Sequence, residues 1–395
     1  MMKKYLLTYV VTLLSVMGTA TAQPVDRNHL SVGVGGRYCN ILNSHHIYED
    51  LLGTHSYGIY EANVSYVTRP EDGSWFDRAF NYPTFGVSLS YENAGSLSFK
   101  NNSRLGDFVN LYGWAEFNLV RTKKFRAGPL LELGFAFTGE TYDYYANPKN
   151  TYIGSKVLAV LGFGLQAEWL FHPRWSLNAG AYLLHHSNGM TRSPNNGINE
   201  FAAGIGVRHY LSPRENSPRP DSIPEKPKYK KGLNWNVFAA GGVHSCAVEL
   251  DGIEKNTPGT LAPARFYGLV GFEALWRYSP IFASGLGFEG SYAFNNYRQT
   301  DLRLRAEVDP DGYSPFRIGA FVKQEFWFRR ISVNVAVGLY LYKRCGLTED
   351  VSSMFEKVGI RYHFRYKSGL YLGMDLRAHQ FDRSYSLDWS VGYRL

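Results

Sequence analysis

The feature that most constrains this chain is a two-residue periodicity sustained over long segments. Apolar residues alternate with polar or small ones in eight stretches, at about 31–40, 55–68, 84–94, 107–119, 125–139, 155–171, 174–187 and 199–211. A second octet follows at about 233–243, 264–277, 283–294, 315–329, 331–343, 355–366, 369–380 and 385–395. A period of two puts successive side chains on opposite faces of a strand. Several stretches exceed the five or six residues usual in soluble sheets and reach the roughly 9–11 that a tilted strand needs to cross a bilayer. Beyond residue 22 no uncharged apolar run approaches the roughly 18–20 residues of a membrane-spanning helix, so crossing by helices is excluded.

The connections in the first octet also alternate. Residues 121–124 and 172–174 are tight, whereas 41–54, 95–106, 140–154 and 188–198 are long. Short turns on one side and long loops on the other are the habit of outer-membrane barrels. Residues 69–83 break the pattern, being long where a short turn belongs. In 175–187 the odd positions carry Trp175, Leu177, Ala179, Ala181 and Leu183, and the even ones Ser176, Asn178, Gly180 and Tyr182. In 199–211, Phe201, Ala203, Ile205 and Val207 alternate with Glu200, Gly204, Gly206 and Arg208. An apolar outside and a polar, glycine-rich inside suit a narrow eight-stranded barrel; a soluble sandwich would turn the apolar face inward.

Residues 213–231 hold five prolines among many charges, an extended linker that cannot supply a full ladder of backbone hydrogen bonds. The expected fold is therefore all-β, two tandem eight-stranded antiparallel transmembrane barrels over 23–212 and 232–395. A single sixteen-stranded barrel is the alternative. Lys3 and Lys4, an apolar run to Met17 and the Ala20-Thr21-Ala22 end read as a secretory signal peptide over residues 1–22. Without those two lysines the net charge falls from +8 to +6, too mild for a nucleic-acid partner. Three widely spaced cysteines, Cys39, Cys246 and Cys345, exclude a disulfide framework and a zinc module.

Chemistry concentrates in residues 185–199. By alternation His185 and Ser187 share the outward face at the long-loop end of their strand, where an imidazole can meet a hydroxyl and activate it as a nucleophile. The following loop, with Pro194 and Gly197, returns the chain so that Asn199 comes back on the same face beside His185, as a third group orienting the ring. Polar groups facing lipid are costly and point to function. Lys100, Arg104, Lys149 and Arg192 lie in or near the long loops, where cations can meet lipid phosphates.

His185-x-Ser187-Asn188 followed by Pro194-Asn195-x-Gly197-Ile198 resembles the signature of the PagL-type lipid A 3-O-deacylases and the related outer-membrane acyloxyacyl hydrolases. The resemblance implies an eight-stranded barrel in the outer membrane of a Gram-negative bacterium, with its active site on the lipid-facing wall. It implies hydrolysis of an acyl ester of lipid A in lipopolysaccharide, without a cofactor or metal. Carried over, Ser187 is the nucleophile, His185 the general base, and Asn188 with the backbone N–H of Gly189 the oxyanion stabiliser.

One position departs from that pattern: Asn199 stands where the deacylase motif has its glutamate, and the nearest carboxylate, Glu200, is one residue late. A one-residue offset moves a side chain to the opposite face, so Glu200 is expected in the lumen, toward Arg208. The second octet lacks the constellation. His379 falls on the inward face and position 381 is Phe, which makes this half a barrel without the catalytic set. The rival function is a non-catalytic barrel that binds ligands or partners through its loops. Asp309-Pro310-Asp311-Gly312 opens like a calcium loop, but Ala320 stands where the closing glutamate belongs.

Overall fold

The computed structural model describes residues 29–69, 74–192, 194–214, 226, 228–229, 231–245, 264–293, 314–344, 352–364, 369–380 and 383–395. The expected signal peptide, most of the Pro-rich linker, the calcium-like loop, Cys246 and Cys345 lie outside them.

Eight long strands form the first barrel: β1 (Leu30–Ile41), β2 (Ser56–Val67), β3 (Thr84–Glu92), β4 (Phe108–Glu116), β5 (Phe125–Thr138), β6 (Val157–His172), β7 (Trp175–Ser187) and β8 (Ile198–Tyr210). Each pairs antiparallel with the next, and β8 returns to β1 with Tyr210 opposite Ser31 and Glu200 opposite Ile41. The second closed barrel is β9 (Gly232–Ser245), β10 (Ala264–Arg277), β11 (Phe282–Ala293), β12 (Phe316–Phe328), β13 (Ile331–Tyr342), β14 (Met354–His363), β15 (Leu370–His379) and β16 (Arg383–Arg394). Two separate closures replace the sixteen-stranded alternative. Closure leaves no unpaired edge, which the hydrocarbon requires. Among the described residues no helix is long and apolar enough to cross a membrane.

The outward faces are apolar and open. Val34, Leu183, Phe201 and Ile205 in the first barrel, and Phe266, Val270, Val322 and Leu339 in the second, are exposed. The inward faces are packed with ion pairs. Arg37 bonds Glu61 and Glu132 at 2.7 and 2.6 Å, and Arg126 pairs with Glu168. In the second barrel Arg361 and Lys323 converge on Glu273 at 2.7 and 2.8 Å. Buried charges are tolerated when paired and hydrogen-bonded, so the interiors combine such charge networks with apolar clusters, Phe108, Leu130 and Leu184 in the first barrel and Leu269, Phe321 and Phe355 in the second, while the outer surfaces are oily.

The long connection 69–83 has a definite structure over its described part. Ser74 caps a helical turn, Trp75–Ala79, through a capping box with Asp77. Asp77 is buried and receives Arg329 Nη2 at 2.6 Å from the β12–β13 turn of the second barrel. The ring of Phe328 sits 6.0, 5.5 and 5.1 Å from those of Phe76, Phe80 and Phe85. The segment that breaks the short-turn rule is therefore a seat for the second barrel.

Candidate active site

The register of β7 on β8 sets the site. His185 lies directly opposite Asn199 and Leu183 opposite Phe201. Because Leu183 and Phe201 are exposed, this pair row faces outward. His185 Nδ1 and Asn199 Oδ1 are 2.7 Å apart. The Asn199 amide is oriented by a second bond, Nδ2 donating to Ser44 Oγ at 3.1 Å. With its nitrogen committed to Ser44, its oxygen accepts from His185 Nδ1–H and leaves the lone pair on Nε2.

Ser187 ends the strand on the same face and is buried under the loop that follows. Its Oγ accepts from Gly189 N–H at 3.1 Å and from Asn195 Nδ2 at 2.8 Å. No hydrogen bond joins Ser187 to His185 among the described residues, so sequence neighbours two apart share a face without yet sharing a proton. Asn195 also accepts from Asn188 N–H at 3.1 Å, which ties both ends of the loop to the serine.

Asn188 does not offer its amide to the serine. Its Nδ2 donates to the carbonyl of Arg192 at 2.8 Å, bracing the turn. The side chain beside Ser187 is Asn195, which sequence reasoning passes over. It lies in a loop where strand parity no longer says which way a side chain points, and the only signal is its place in the Pro-Asn-Asn run.

Two glycines make this loop possible. Gly189 and Gly197 have φ of +61° and +69°, in the left-handed region that other residues enter at a cost. A Cβ on Gly197 would lie 3.0 Å from His185 Cε1. The loop is clamped from outside, with Gly197 N–H donating to Tyr152 O at 3.1 Å and Asn196 N–H to Thr151 O at 3.2 Å.

Glu200 faces the lumen, as the offset argument expects, but not toward Arg208. Tyr57 donates to it, and His186 Nδ1 stands 3.6 Å away. Eight residues of strand, about 26 Å at roughly 3.3 Å each, separate Glu200 from Arg208, which pairs with Glu116 and Glu168 at the other end. Glu92 lies 3.5 Å from His186 Nε2, so the three buried side chains cluster behind the site, with one ligand atom of each within 4.8 Å of the others. Of the loop cations, Lys149 is engaged with Asp50 at 2.9 Å, whereas Arg192 is exposed.

Residues 60–208 match the family described as lipid A 3-O-deacylase (PagL), and residues 233–395 match the acyloxyacyl hydrolase, C-terminal domain. No curated protein matches the chain. Among solved structures, "Crystal structure of the outer membrane enzyme PagL" is similar over 44% of this chain and 97% of its own, at 14% identity and TM-score 0.30. Neisserial surface protein A covers 46% of this chain and 96% of its own at 12% identity and TM-score 0.27. Acinetobacter baumannii OccAB1 covers 94% and 96% at 11% identity and TM-score 0.24.

Proposed function

Because this chain belongs to the family of PagL-type lipid A 3-O-deacylases and acyloxyacyl hydrolases, ester hydrolases of the outer membrane, we propose that it removes an ester-linked acyl chain from lipid A through an acyl-enzyme on Ser187. The observation that carries the reading is the outward-facing row of His185, Asn199 and Ser187 at the end of β7. Ser187 turns from Asn195 toward His185 Nε2, gives up its proton and attacks the ester carbonyl carbon. Such catalytic contacts commonly tighten only when substrate is bound.

The tetrahedral oxyanion is stabilised by Gly189 N–H and Asn195 Nδ2, the two donors that now hold Ser187 Oγ. Collapse of the intermediate expels the sugar alkoxide, which takes the proton from His185. Water activated by the same imidazole then frees the fatty acid and restores Ser187. Asn199 holds the ring's tautomer and adds no charge to the imidazolium, as in Cys-His-Asn sites. Exposed Arg192 is available to a lipid A phosphate, Leu183 and Phe201 give the acyl chain an apolar bed, and no cofactor takes part. Residues 1–22 act as the export signal, and the second barrel takes no part in the chemistry.

The test is incubation of the purified protein with lipopolysaccharide, followed by mass spectrometry of lipid A. Loss of one acyl chain with wild type and none with Ser187→Ala supports the reading. No loss with wild type, where a known deacylase succeeds, favours a binding barrel instead.

A further inference from the structure

The two barrels touch at both membrane faces, and the outer contact adjoins the nucleophile. At the inner face are the Arg329–Asp77 ion pair and the Phe328 cluster. At the outer face, a methyl on Gly189 would lie 3.6 Å from Leu376 Cδ1 of β15 and 3.6 Å from Leu387 Cβ of β16. The wall of the second barrel thus lies in van der Waals reach of the residue whose N–H bonds Ser187.

Both contacts fit one side-by-side packing. In the first ring β3 and β7 stand four strands apart, on opposite walls at any one height. Strands tilted by about 40° move roughly 20 Å sideways while crossing an apolar band of about 25 Å. The girth of eight such strands spaced about 4.8 Å is roughly 50 Å. The outer end of β7 therefore stands nearly above the foot of β3. Exposure along the second barrel agrees. Leu372 and Val391, a register pair, are 46% and 52% exposed, whereas Leu376 and Leu387, the pair four residues nearer the outer face, are half-buried.

We propose that this seam is the acyl slot, with the chain of the bound ester lying between Leu183 and Phe201 on one side and Leu376 and Leu387 on the other. The second barrel is then a specificity-determining wall of the first barrel's enzyme. A single lipid-facing wall holds an acyl chain no better than lipid does, since lipid tails are as apolar as leucine. Discrimination by length needs a second, fixed wall. The inference rests on the assignment of Ser187 as nucleophile.

The experiment uses the full chain in phospholipid vesicles with synthetic lipid A carrying ester-linked 3-hydroxyacyl chains of graded length. Leu376→Ala/Leu387→Ala should change the ratio of kcat/KM for the longest and shortest chains by about tenfold or more, the scale of methylene discrimination in an apolar slot. Leu372→Ala, on the same wall but away from the seam, should leave it within about twofold. A ratio unchanged in the double variant, folded by heat-modifiable gel migration, overturns the proposal. If wild type cleaves none of the series, the assignment of Ser187 fails, and binding of non-cleavable ether-linked analogues decides the seam. A chain-length dependence that moves with Leu376→Ala/Leu387→Ala upholds it, and one that does not overturns it.

Discussion

The seventh and eighth strands of the two barrels make an instructive pair. Both hairpins close an eight-stranded ring, both carry outward leucines, and both place a histidine near the outer end. In the first barrel His185 faces out, and residues 188–197 lie between the strands. In the second His379 faces in, 3.1 Å from Tyr340 Oη and 4.7 Å from the Tyr385 ring, and only residues 380–382 intervene. The ring is thus a carrier common to both halves. A histidine in outward phase and a loop long enough to fold Asn195 back onto the serine separate the half that carries the proposed site from the other.

The largest expected effect on that contrast comes from removing the reacting groups. Ser187→Ala or His185→Ala should lower kcat at least about 10³-fold, whereas His379→Ala should leave the rate unchanged; steady-state deacylation of lipid A by mass spectrometry reads both. Next in size is the loop backbone. Gly197→Ala forces a Cβ to 3.0 Å from His185 Cε1 at a φ of +69°, and kcat should fall about 10–100-fold through misplacement of the ring. An undiminished rate would show that the loop does not position His185.

Smaller, and opposite in sign, is the effect of supplying charge. Asn199→Glu puts a carboxylate against His185 Nδ1 and should raise kcat on the order of tenfold, equivalent to about 1.4 kcal/mol. A fall would mean that the bond to Ser44 matters more than charge on the imidazolium. The smallest effect on rate belongs to Glu200→Gln. It should leave kcat within about threefold while lowering stability by about 1–3 kcal/mol, since His186 loses a buried charged partner. Thermal unfolding followed by gel mobility measures the second. A loss of activity as deep as that of Ser187→Ala would contradict the inward placement of Glu200.

The strands were legible because a bilayer enforces alternation on every one of them. Segments such as 264–277 and 174–187 are matched within a residue by β10 and β7. Parity also placed His185 opposite Asn199 and turned Glu200 inward. Legibility stopped where parity stopped. Asn188 and Asn195 sit in a loop, and their roles are set by backbone turns at Gly189 and Gly197 that no periodicity encodes. Face alone does not choose a partner for Glu200, because height along the strand puts His186 beside it and Arg208 at the other end. The 69–83 connection was recognisable as an exception, but its reason lies in Arg329 and Phe328, some 250 residues away in the chain.

The most direct measurement is the mass of lipid A after exposure to the full-length protein and to its Ser187→Ala variant, at equal amounts in the same membranes. The expected result is loss of a single acyl chain with the first and an unchanged mass with the second. Equal loss with both would remove Ser187 from the chemistry and contradict a catalytic site on the outward face of β7.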